Sequence, residues 1–129
     1  MQRVSEYSDG LNEVYSPLKL YIMIPDEIAC QYPVGKIIAH AAHNAAIITY
    51  EHKGMQRVDE WYLTAMTKIV VRVPWTISEL KELVNSMHLR HYPAAMIEDN
   101  TVGTELCAAI GPFSDEEAEY FKFNELKLF

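Results

Sequence analysis

Two short apolar runs, each closed by a proline and followed by a helix signal, constrain this chain more than any other feature. Leu20-Tyr21-Ile22-Met23-Ile24 is short, β-branched and aromatic, reads as a strand, and stops at Pro25. Lys68-Ile69-Val70-Val71-Arg72-Val73 is a second strand, closed by Pro74. After the first, Pro33 and Gly35 mark the start of a helix running from Val34 to about Glu51. Its residues Ile37, Ile38, Ala41, Ala42, Ala45 and Ile48 recur at helical spacing, and their abundance implies burial over much of its circumference. His52-Lys53-Gly54 supplies the stop. After the second, Thr76-Ile77-Ser78-Glu79 is a capping box with Thr76 as N-cap. It opens a helix to about Leu89 whose core face is Leu80, Leu83, Val84 and Met87.

The remaining elements follow from weaker signals. Asp26 to Tyr32 reads as a loop, and Gln56 to Met66 as a helix or irregular segment with Trp61 and Tyr62 as packing anchors. Ala94 to Glu98 is a third strand and Glu105 to Ile110 a fourth, ended by Gly111-Pro112. Ser114-Asp115-Glu116-Glu117 is a second capping box, opening a last helix to about Phe123, with a short closing segment over residues 125–129. The order βα(α)βαββα predicts a three-layer α/β/α sandwich, a small four-stranded mixed sheet with helices on both faces. One domain over residues 19–129 accommodates it, of a size that buries a real core. Residues 1–18 lack periodicity and hold Ser5, Ser8, Gly10, Ser16 and Pro17, so a loose, flexible extension is expected there.

Charge and composition narrow the partners. The net charge is −7, with 11 Lys and Arg against 18 Asp and Glu. Any grip on a polyanion is therefore local, without long-range steering. No apolar run approaches the ~20 residues of a membrane span, and Met1 to Asp9 is polar, unlike a signal peptide. A cytoplasmic protein with no membrane partner is expected. Cys30 and Cys107 are too few and too far apart for a metal knuckle or a disulfide framework, and each reads as a small buried thiol.

Chemistry concentrates at one place. Lys36 lies in the first turn of the long helix, where unpaired N–H groups and the helix dipole already favour an anion. A full positive charge there suits a phosphate or a developing oxyanion, and a solvated surface lysine is the plain alternative. His40 and His43 share a face of that helix and, with Asp99 nearby, would have the donor set of a His-His-carboxylate metal site. Against that stand a hydrogen-bonded His43 and an amphipathic His40. His88 and His91, beside Arg90, are expected to meet the carbonyls at the end of the Thr76 helix. Tyr50, Trp61, Tyr62 and Trp75 could stack on bases, but their apolar settings favour packing.

Three separated motifs resemble the peptidyl-tRNA hydrolase 2 family. They are Gly35-Lys36-Ile37-Ile38-Ala39-His40-Ala41-Ala42-His43, Ala94-Ala95-Met96-Ile97-Glu98-Asp99, and the strand from Gly103 to Pro112 that ends Ala-Ile-Gly-Pro. The terminal Leu126-Lys127-Leu128-Phe129 is also similar to the family's ending. The resemblance implies that fold, possible dimerisation, and hydrolysis of the peptide–tRNA ester with no metal or other cofactor. It implies catalytic roles for Lys36, His43 and Asp99, with Thr104 as a candidate hydroxyl and Gly35, His40 and Thr101 as substrate contacts. Three departures stand out. His40 replaces the family's glutamine, the segment between Asp99 and Gly103 is shortened, and Leu106 occupies a threonine position. Besides peptidyl-tRNA hydrolysis, two alternatives follow. One is a weakened relative that binds a nucleotide or tRNA end as regulator or inhibitor; the other is a module that binds a protein partner.

Overall fold

The computed structural model describes residues 17–129. The extension expected over residues 1–18 therefore lies almost wholly outside the described residues. Strand β1 (Lys19–Pro25) is followed by helices α1 (Asp26–Gln31), α2 (Val34–Glu51) and α3 (Gln56–Leu63), then by β2 (Lys68–Val73) and α4 (Ile77–Leu89). Short strands β3 (Ala94–Ala95), β4 (Glu98–Asp99) and β5 (Thr104–Glu105) precede β6 (Ala108–Phe113), α5 (Asp115–Phe121), a 3-10 turn (Phe123–Glu125) and β7 (Lys127–Leu128).

The strand order is β3-β6-β1-β2-β7. β1 pairs parallel with β2 from Leu20↔Lys68 to Pro25↔Val73, and antiparallel with β6. Its alternation explains why Leu20 to Ile24 are all apolar. Leu20, Ile22 and Ile24 enter one core with Ile37, Ile48 and Trp61, while Tyr21 and Met23 enter the other with Leu80, Val84 and Met87. Helices α1 to α3 thus cover one face and α4 and α5 the other, which is the three-layer sandwich expected. Both capping boxes form, from Thr76 to Glu79 and from Ser114 to Glu117.

Several boundaries differ from expectation. The sheet has five strands, not four, because β7 pairs antiparallel with β2 as a two-residue edge. Asp26 to Gln31 is helical rather than a loop, with Asp26 and Glu27 complementing the dipole in its first turn. The expected third strand splits, because Ile97 N–H donates to Asn44 Oδ1 (3.2 Å), a helix side chain rather than a ladder carbonyl. The expected fourth strand splits as well. Thr104 and Glu105 fold back on β4 in a separate two-stranded unit, and β6 continues to Phe113 instead of ending at Gly111-Pro112. Gly111, at φ +112°, makes the bend, and the register with β1 shifts between Lys19↔Phe113 and Tyr21↔Ile110. The last helix stops at Phe121, where Lys122 takes a left-handed conformation.

Candidate active site

The site lies where α2 meets the β4–β5 hairpin. On α2, Lys36, His40 and Asn44 follow one another at four-residue spacing, so they form a single polar stripe. All three bond the segment that runs from residue 97 to residue 107. The hairpin pairs Glu98 with Glu105 and Asp99 with Thr104, and turns through Gly103 at φ +83°. Gly103 N–H donates to Asp99 O (2.8 Å), closing the turn. From the far side, Lys81 of α4 pairs with Glu105 at 3.0 Å and fixes the second arm.

Asp99 is the hub. Its Oδ1 accepts from Thr101 Oγ1 (2.6 Å), Thr101 N–H (2.8 Å) and Val102 N–H (3.0 Å), so the carboxylate caps its own turn. Its Oδ2 meets His40 Nε2 at 2.7 Å and Lys36 Nζ at 3.2 Å. Those partners fill the acceptor capacity of a carboxylate. The Thr101 hydroxyl, followed by the backbone N–H groups and Lys36, holds the carboxyl well below the usual carboxylate range. Burial opposes that shift and loses, although Asp99 is only 6% exposed. This carboxylate is suited to anchoring cations and has little capacity left to accept a proton from water.

Lys36 is the part of the hub that reaches outward, its side chain one-third exposed. Its Nζ also donates to Thr101 Oγ1 (3.0 Å), so Lys36, Thr101 and Asp99 close a triangle. An ammonium has three N–H donors, two of which these partners engage. The arrangement can thus offer a positive donor, fixed in place, to an anionic group arriving over the α2 N-terminus.

The structure brings Lys36, His40, Asp99 and Thr101 together. Gly35 is exposed in the first turn of α2, where an added Cβ would meet nothing within 4 Å. His43 is exposed, with its ring edge-on to that of His40 at 5.6 Å between centroids. His40 itself is buried behind Asp99. Thr104 stands opposite Asp99 in the hairpin register, but the hydroxyl on the carboxylate is that of Thr101. Leu106 is fully buried in the core. No trio of His, Cys, Asp or Glu placed to hold a metal ion occurs among the described residues.

Asn44 was not foreseen. It is fully buried and donates to Cys107 O (3.2 Å) while accepting from Ile97 N–H, clasping both ends of the segment that carries the hairpin. Its signal in the sequence is an amide four residues beyond His40 and eight beyond Lys36, continuing their polar stripe along a helix otherwise rich in Ala and Ile. Other expectations need correction. Cys30 is exposed, not buried, with Arg72 at 3.8 Å, whereas Cys107 is buried and its thiol is pushed up to about 11 by burial. His88 Nε2 meets Ala94 O (2.8 Å) in β3 instead of the end of its own helix. Tyr50 is 82% exposed and does not pack in the core, while Trp61 does, donating to Thr67 O (2.8 Å).

Comparison with known proteins agrees with this architecture. The family model described as peptidyl-tRNA hydrolase PTH2 matches residues 18–129. A protein of Nanoarchaeum equitans named peptidyl-tRNA hydrolase is 29% identical over 97 residues, spanning 71% of this chain and 82% of its own length. A Methanocaldococcus jannaschii protein of the same name is 28% identical over 109 residues, spanning 79% of this chain and 92% of its own.

Proposed function

We propose that this chain, which belongs to the peptidyl-tRNA hydrolase PTH2 family, hydrolyses the ester that joins a peptide to the terminal ribose of tRNA. The observation that carries the reading is the Lys36 ammonium, held by Thr101 and Asp99 yet open to solvent at the start of α2. Water adds to the ester carbonyl, and Lys36 donates to the oxyanion that forms. His43, exposed on the same helix, takes the proton from water as the new C–O bond forms. It returns that proton to the ribose oxygen as the ester bond breaks, giving a free carboxylic acid and a tRNA hydroxyl. Asp99 stays ionised and, with Thr101, fixes the ammonium. Gly35 leaves the first helical turn without a side chain, so an RNA backbone can come close. Thr104, opposite Asp99 in the hairpin register, is a second hydroxyl on the same turn.

The net charge of −7 keeps the RNA contact local to this helix end. We assign the chain a cytoplasmic setting and a homodimeric state, the latter checked by sedimentation. The test of function is release of free tRNA from an N-blocked aminoacyl-tRNA. Turnover that persists with chelator present and is lost in Lys36→Ala supports the reading. Folded protein that releases no tRNA overturns it.

A further inference from the structure

Asp99 Oδ2 is shared by two donors of unequal reach, His40 Nε2 at 2.7 Å and Lys36 Nζ at 3.2 Å. We propose that His40 is the positioning residue of this site. Its imidazole N–H occupies Asp99 Oδ2, pins the carboxylate against the hairpin, and holds the Lys36 ammonium off at a distance from which it can still reach substrate. The kinetic consequence rests on the hydrolase reading above; the geometric assignment does not.

Three observations carry it. First, an ionised carboxylate only accepts, so the ring nitrogen at 2.7 Å is the one bearing hydrogen. Second, a charged N–H facing a carboxylate oxygen ordinarily closes to roughly 2.7–2.9 Å. Lys36 stops at 3.2 Å, where His40 already sits on the same oxygen and Thr101 Oγ1 takes another of its hydrogens. Third, His40 Nδ1 is buried and has no hydrogen-bond partner among the described residues. The bond to Asp99 is therefore the ring's polar tie, and the edge-on His43 ring is its aromatic contact. A side chain of similar length that ends in an amide N–H donor can reproduce that tie, whereas an apolar one cannot. His40 acts from behind the carboxylate and does not touch substrate.

The experiment combines kinetics on N-blocked aminoacyl-tRNA with an NMR signature of the wild-type protein. His40→Leu is expected to lower kcat by about 10–100-fold with little change in KM, the scale of a misplaced reacting group. His40→Gln is expected to restore most of the loss. His40→Asn, too short to reach Oδ2, behaves like the leucine variant and substitutes for it if leucine prevents folding. The wild-type spectrum is expected to contain a slowly exchanging imidazole N–H resonance that disappears in His40→Gln. Full kcat in His40→Leu, no recovery in His40→Gln, or absence of that resonance would each overturn the assignment. Should the wild-type protein release no tRNA, the hydrolase reading falls, and the resonance alone decides for or against His40.

Discussion

Lys36 and Thr101, 65 positions apart, meet at 3.0 Å from Nζ to Oγ1, and the same hydroxyl donates to Asp99 at 2.6 Å. One small side chain on the shortened turn thus accepts from the cation and donates to the anion. Thr101→Val removes both bonds at once and leaves the ammonium with the Asp99 ion pair but without its hydroxyl tie. Both bonds have a charged partner, so the fold should lose about 1–3 kcal/mol, discounted for the exposure of Thr101. The expected kcat loss is about 10–100-fold, with Thr101→Ser retaining most activity. Equal kcat in the serine and valine variants would separate Thr101 from the chemistry.

Asn44 should matter to stability and activity together. Replacing it with leucine strands Ile97 N–H and Cys107 O, each next to apolar core, at a cost of about 1–3 kcal/mol. Because that clasp holds both ends of the hairpin segment, kcat should fall alongside the thermal midpoint. Calorimetry and single-turnover hydrolysis on the same preparation read the two effects.

Acid stability should depend on a pair far from the site. Arg57 forks onto Glu117, with both bonds at 2.8 Å, and also donates to Pro112 O. The Arg57 hydrogen bonds, aided by the Ser114 N–H, lower the Glu117 carboxyl to about 2. An unfolded glutamate titrates near about 4.3. The folded value is the lower one, so this contribution is fully present above the unfolded value. It is lost as pH falls from there through the folded value, because the unfolded chain binds the proton first. Glu117→Gln should cost about 1–2 kcal/mol at neutral pH, discounted for partial exposure, with the capping box kept by the glutamine. It should also flatten urea-measured stability between roughly pH 4.5 and 2. An unchanged acid slope would remove Glu117 from the account.

What could be read from the chain divides along physical lines. β1, β2 and α2 were legible because burial on one or both faces imposes a periodicity, and the capping boxes because their chemistry is local. The split of the third strand was not, since it depends on Asn44 reaching across 53 positions to Ile97. Pro112 reads as a terminator, yet Gly111 bends the backbone so that pairing resumes at Phe113. β7 holds two exposed residues, too few for any pattern. At the site, Lys36 was legible from its place in the first helical turn and Asp99 from the resemblance, but their pairing was not. The choice between Thr101 and Thr104, and the depth of His40, depended on a turn geometry that spacing does not encode.

Lys36 offers the sharpest separation of function from stability. A cation in the first turn of a helix opposes the dipole, a penalty of about 0.3–1 kcal/mol. Its ion pair with Asp99 works against that penalty, and the two terms nearly offset at a partly exposed position. Removing the ammonium still leaves Asp99 with His40 on Oδ2 and three donors on Oδ1, so the carboxylate is not stranded. Lys36→Ala should therefore shift the unfolding midpoint little. Loss of an oxyanion donor should nonetheless reduce kcat by about 100–1000-fold. Urea titration beside tRNA-release kinetics measures both, and a variant as active as wild type would disprove the role given to Lys36. Lys36→Arg should recover charge but not rate, because a rigid planar guanidinium fork is not interchangeable with a compact ammonium held by two oxygens.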